Sequence, residues 1–159
     1  MEPTLKPEAR RLQRAIAFAV EAHTGQHSFS GRPYILHPLR VMHQMDTIDE
    51  MIVAVLHDVL EDTNTKVHDV EKFGAEVVAP LLLLTKRDGQ DYEQYINAVA
   101  SDPIACKVKL ADLQDNMRVE RLLKFTDGSA QRLCKYHKAY MQLCVAEEVG
   151  ASRLCCKAE

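Results

Sequence analysis

Four ionisable residues, His57, Asp58, Glu61 and Asp62, stand in the otherwise apolar stretch MIVAVLHDVLED that begins at Met51. Read as one helix from Ile48 to about Glu61, with about 100° per residue, positions i, i+1, i+4 and i+5 span roughly 140°, so the four side chains project from one face. Burying charges without partners costs on the order of several kcal/mol each, and a divalent cation is the simplest partner for a histidine beside carboxylates. Two further segments carry the same conflict: His37 lies between Ile35-Leu36 and Pro38, and Asp112 ends the run Val108-Lys109-Leu110-Ala111. His37, His57, Asp58 and Asp112 make a two-histidine, two-carboxylate set. Mixed nitrogen and oxygen ligation suits Mn²⁺, Fe²⁺ or Zn²⁺, whereas Mg²⁺ and Ca²⁺ prefer oxygen alone. Taken singly, a histidine such as His37 is more often a hydrogen-bonded core residue than a ligand, and His57-Asp58 reads also as a structural ion pair; the pattern carries the metal reading.

The elements that must position these residues are helical. Leu12, Ile16, Ala19 and Val20 at helical spacing predict an amphipathic helix from about Pro7 to His23. The turn-rich segment from Thr24 to Pro33 predicts a loop, and Pro38 suits the first turn of a second helix. Gly74 divides an apolar run into two short helices, Lys86 to Gly89 reads as a loop, and a helix is predicted from about Tyr92 to Ala100. Asp102-Pro103 supplies an N-cap and a first helical residue for the segment that carries Asp112. A last helix runs from Gly128-Ser129 to about Glu148. No β-alternation or internal repeat appears, so the expected class is all-α, one bundle of about eight helices over residues 1–150 with a polar tail over 151–159.

Composition narrows the partners. The chain has 159 residues, 47% hydrophobic and 27% charged, as an ordinary globular domain does. A net charge of -3 gives no broad cationic surface, which argues against nucleic acid as a partner. A small phosphorylated ligand needs only a metal and one or two Lys or Arg. Five cysteines without CxxC spacing fit neither a disulfide framework nor a thiolate zinc site, and charges interrupt every apolar run near the start. The expected setting is cytoplasmic, with no membrane partner; oligomeric state is open.

Four ordered blocks carry a family resemblance: AHTGQ…SGRPYILHP, AVLHDVLEDT, FGAEV…LTK and VKLADLQDNMR. Over about residues 12 to 120 the chain resembles HD-superfamily phosphohydrolases, in particular the hydrolase domain of RelA/SpoT enzymes and the small alarmone hydrolases. The resemblance implies a metal, usually Mn²⁺, held by His37, His57, Asp58 and Asp112, with Glu61 and Asp62 positioning and activating the attacking water. It implies that Asn116 contacts the sugar region of the substrate. Arg118 is a further candidate for phosphate contact. The implied reaction is release of pyrophosphate from guanosine 3′,5′-bis(diphosphate), a small nucleotide substrate.

The departures concern the substrate. Ser28 and Phe29 stand where relatives carry a basic pair that packs on the guanine, Val119 replaces a common threonine, and LQD follows Asp112 in place of a basic and histidine-containing form. Ser28 and Phe29 are therefore candidate base contacts of altered character. Stacking on an aromatic ring tolerates any base. Two alternatives follow: an HD hydrolase of another nucleotide (an adenosine alarmone, NADPH or a nucleoside phosphate), or a metal- or nucleotide-binding module without turnover.

Overall fold

The computed structural model describes residues 6–28, 30–122 and 124–155, the side chains of residues 121 and 149–155 excepted. The described residues form α1 (Pro7–Ala22), α2 (Leu36–Met42), α3 (Ile48–Leu56), α4 (Val59–Asp62), α5 (Val67–Val70), α6 (Ala75–Leu84), α7 (Tyr92–Val99), α8 (Pro103–Asn116) and α9 (Asp127–Cys155), with one-turn 3-10 helices at Glu71–Phe73 and Val119–Arg121. None of them forms a named strand; His27 and Pro33 make an isolated antiparallel bridge. The all-α class and the count of about eight agree with the sequence, α3 and α4 being the pair it joined into one.

α3 is the axis of the bundle. Ile52, Val53, Ala54, Val55 and Leu56 are all fully buried, because α1, α2, α6 and α8 pack around it. Burying each larger apolar side chain here contributes about 1.5–3 kcal/mol. Its start is fixed by a capping box, in which Thr47 Oγ1 accepts the Glu50 amide and Glu50 Oε2 accepts the Thr47 amide at 3.1 Å. α8 begins as predicted, with Asp102 accepting the Ala105 amide at 2.8 Å and Pro103 in the first turn. Gly74 divides the 3-10 turn from α6 at φ +100°, a conformation that disfavours any side chain.

Two expectations are corrected. The helix drawn from Ile48 to Glu61 breaks at His57-Asp58. The Ala54 carbonyl, which a continuing helix would offer to the Asp58 amide, accepts the His57 imidazole Nδ1–H at 2.8 Å. The four ionisable side chains therefore belong to two short segments and do not share one helix face. The last helix runs to Cys155, past the expected end near Glu148. No helix among the described residues is long and apolar enough to cross a membrane.

Candidate metal centre

Three separate pieces of chain bring the four predicted ligands together: α2 carries His37, the α3–α4 break carries His57 and Asp58, and α8 carries Asp112. His37 Nε2 lies 3.0 Å from Asp112 Oδ1 and 3.7 Å from Asp58 Oδ2. His57 Nε2 lies 2.9 Å from Asp58 Oδ2 and 3.6 Å from Asp112 Oδ1. Ligand atoms of His37, His57 and Asp112, all three residues buried, fall within 4.8 Å of one another.

The hydrogen bonds on the far side of each ring decide what these atoms are. His37 Nδ1 is 2.6 Å from Asp115 Oδ2, and His57 Nδ1 is 2.8 Å from the Ala54 carbonyl. A carbonyl oxygen and an arginine-bound carboxylate only accept, so both Nδ1 atoms carry the proton and, in the neutral rings, both Nε2 atoms present lone pairs. Lone pairs and carboxylate oxygens thus face one another, and the buried His57 Nε2 makes no hydrogen bond despite its nearness to Asp58. Only positive charge at the middle relieves this arrangement, and the donor set fits a divalent cation.

The electrostatics say the same. Burial pulls His57 down, but Asp58 and Asp112 outweigh it and raise it well above its ordinary value; His37 is raised by its bonds to Asp112 and Asp115 against the same opposition. Burial works against the carboxylates too, yet His57 brings Asp58 down to about 2, and Lys109 with the two histidines holds Asp112 well below the usual range. Every one of these shifts favours positive charge among the carboxylates, carried in the bare cage by the imidazolium rings.

The pair expected to activate water, Glu61 and Asp62, is divided by the structure. Asp62 lines a cleft beside the cage, its Oδ2 3.3 Å from the Tyr34 hydroxyl. Glu61 turns to the loop after α6, where Oε2 accepts the Lys86 amide at 3.0 Å. Burial raises both above ordinary carboxylates, with Asp58 reinforcing the effect. Asn116 lines the cleft, and its Nδ2 donates to Asp112 Oδ1 at 2.6 Å, so it also holds a cage residue.

The cleft opens in two adjoining lobes of about 440 and 450 Å³ that share Ser28, Ser30, Tyr34, His37, Arg118 and Leu122. Arg118 faces it while its Nε donates to Glu120 at 2.7 Å. The Ser28 and Ser30 hydroxyls bond each other at 3.0 Å. Phe29 lies outside the described residues.

Four residues of the site were not singled out from sequence. Tyr34 donates its hydroxyl to Asp58 Oδ2 at 2.6 Å. Lys109 is largely buried, with Nζ 2.8 Å from Asp112 Oδ2. Asp115 and Arg40 complete the surroundings of His37, Arg40 donating to both Asp115 oxygens. One signal was present: Arg40 follows His37, and Asp115 follows Asp112, by one helical turn, so each pair shares a face.

An all-helical bundle with a buried histidine–aspartate cage is the class that fold and site define. No protein-family model matches the chain. It is 34% identical over 140 residues to the guanosine-3′,5′-bis(diphosphate) 3′-pyrophosphohydrolase of Aquifex aeolicus, across 80% of this chain and 20% of that protein. It is 37% identical over 127 residues to a probable GTP pyrophosphokinase of Mycobacterium leprae (70% and 16%), and 32% identical over 127 residues to the bifunctional (p)ppGpp synthase/hydrolase SpoT of Escherichia coli K12 (70% and 18%). The chain spans about a fifth or less of the length of these relatives. The solved structure of a metazoan ortholog of SpoT that hydrolyzes ppGpp superposes with a TM-score of 0.72 at 22% identity, covering 88% of both chains, which shows a common fold. In sequence and in fold the chain resembles the RelA/SpoT hydrolases.

Proposed function

We propose that this chain is an HD-type phosphohydrolase that releases pyrophosphate from guanosine 3′,5′-bis(diphosphate), with Mn²⁺ held by His37, His57, Asp58 and Asp112. The observation that carries the reading is the convergence of two buried histidine Nε2 atoms with two carboxylates, His57 Nε2 being left without a hydrogen bond. A divalent cation there would polarise a phosphoryl oxygen and lower the pKa of a water bound to it.

The chain's own groups supply the rest. Asp62 on the cleft wall and its chain neighbour Glu61 orient the water and accept its proton, a role helped by raised carboxylate pKa values. The bond between the ribose 3′ oxygen and the adjacent phosphorus breaks, water oxygen passes to the departing pyrophosphate, and the 3′ oxygen gains a proton. Tyr34 fixes the Asp58 carboxylate, and Asn116 and Arg118 face the nucleotide. The free thiols of Cys106, Cys134 and Cys144 fit a reducing, cytoplasmic setting.

One observation favours a second nucleotide as substrate. Ser28, which stands at the cleft, offers no guanidinium to stack on a base. The test is pyrophosphate and phosphate release by metal-stripped protein reloaded with Mn²⁺, across guanosine and adenosine 3′,5′-bis(diphosphates) and NADPH. Pyrophosphate from the guanosine compound is expected. Turnover of another member alone would move the assignment to that nucleotide, and no turnover of any would favour the binding module.

A further inference from the structure

We propose that Arg40 and Asp115 act as one positioning unit that aims His37 into the metal centre, an inference that rests on the cage being a metal site. Asp115 is buried on α8, its side chain 1% exposed. Arg40 closes on it as a fork, Nε to Oδ1 at 2.7 Å and Nη2 to Oδ2 at 2.9 Å. A two-toothed guanidinium contact fixes the plane of a carboxylate as well as its place. The plane so fixed presents Oδ2 to His37 Nδ1 at 2.6 Å.

The consequence falls on the other side of the ring. With Nδ1–H committed to Asp115, a flipped imidazole would take that buried proton away from its acceptor, so Nε2 stays turned toward Asp112 and Asp58. Outer partners of this kind orient a ligating histidine and strengthen its donor nitrogen. The helices enforce it together: α2 contributes His37 and Arg40, and α8 contributes Asp112 and Asp115, one turn apart on each. Lysine in place of Arg40 would supply charge without the fork.

The test titrates the metal-stripped full chain with Mn²⁺, and with Co²⁺ for its visible spectrum. Asp115→Leu is expected to weaken metal binding about 10- to 100-fold and to shift the Co²⁺ bands. Arg40→Met is expected to weaken it less, with Arg40→Lys failing to restore it. Adding Arg40→Met to Asp115→Leu is expected to cost nothing more, because Arg40 acts through Asp115. A merely structural tie between α2 and α8 would lower the melting temperature while affinity and spectrum stay wild-type, and that result overturns the proposal, as does full additivity of the two changes. Should Asp115→Leu not fold, Arg40→Met alone must still weaken binding and shift the spectrum, or the proposal fails. Folded wild type that binds neither ion would sink the metal-centre reading itself, a different failure from wild type that binds while Arg40→Met is unchanged.

Discussion

The cage and the cleft beside it share the same helices yet are held in opposite ways. His37, His57 and Asp112 are buried, and the atoms turned away from the centre are occupied: one Nδ1 by Asp115, the other by Ala54, and Asp112 Oδ2 by Lys109. On the cleft wall, Ser28 is tied to Ser30 and Arg118 to Glu120, each two residues away on the same loop. Groups that must be placed before an ion arrives are held by buried or half-buried bonds, one of them spanning 78 positions. Groups that must adjust to a nucleotide keep local ties that cost little to rearrange.

The sharpest way to break this contrast is Asp112→Ala. It strips a largely buried Lys109 ammonium of its carboxylate and frees the Asn116 amide. Leaving a buried charge uncompensated costs about 3–5 kcal/mol. Denaturant unfolding of the metal-free protein should read that loss, and equilibrium dialysis should find the metal gone. A loss below about 1 kcal/mol would mean that the cage is no more tightly held than the cleft.

Water-side changes should separate activity from both stability and metal content. Glu61→Gln and Asp62→Asn are expected to keep the ion and lose about a hundredfold in kcat, while Asp58→Ala loses ion and activity together. Metal loss in all three variants would erase the division between ligand and water-positioning groups.

The smallest effect serves as a reference far from either region. Glu50 holds the start of α3 and accepts Lys107 Nζ of α8 at 2.8 Å. Burial opposes the carboxylate, but Lys107 and the Asp46 and Thr47 amides outweigh it and lower its pKa. A depressed folded pKa gives stability that is present above the unfolded value and lost as pH falls through the folded one. Glu50→Gln should therefore cost about 1 kcal/mol near neutrality, with the difference from wild type vanishing in acid. A difference that persisted or grew in acid would assign the effect to something other than this charge. Hydrolysis should be unaffected.

The clustering of His37, His57, Asp58 and Asp112 was readable because each sits in an apolar run, where an ionisable residue needs a reason. The Asp102-Pro103 start of α8 was equally legible, since a cap is a local device. The break at His57 was hidden: the apolar pattern runs through it without interruption, and only the imidazole's bond to Ala54 reveals it. Arg40 and Asp115 meet across 75 positions, so no local pattern announces the pair, and each alone reads as an ordinary polar residue on a helix. Tyr34, between Pro33 and Ile35, has nothing in its local sequence that signals the bond of its hydroxyl to Asp58.

The spacing of the ligands along the chain has a consequence for the unfolded state. They fall at three places, residue 37, the pair 57–58 and residue 112, so a bound ion would tie the chain into two loops of about 20 and about 54 residues. Closing loops of those sizes removes roughly 3 to 4 kcal/mol of chain entropy apiece from the disordered ensemble, in the relation used for cross-links. The ion would then act as a staple on a chain whose cysteines lack any spacing suited to one. Chelation should lower the unfolding midpoint without altering a single apolar contact.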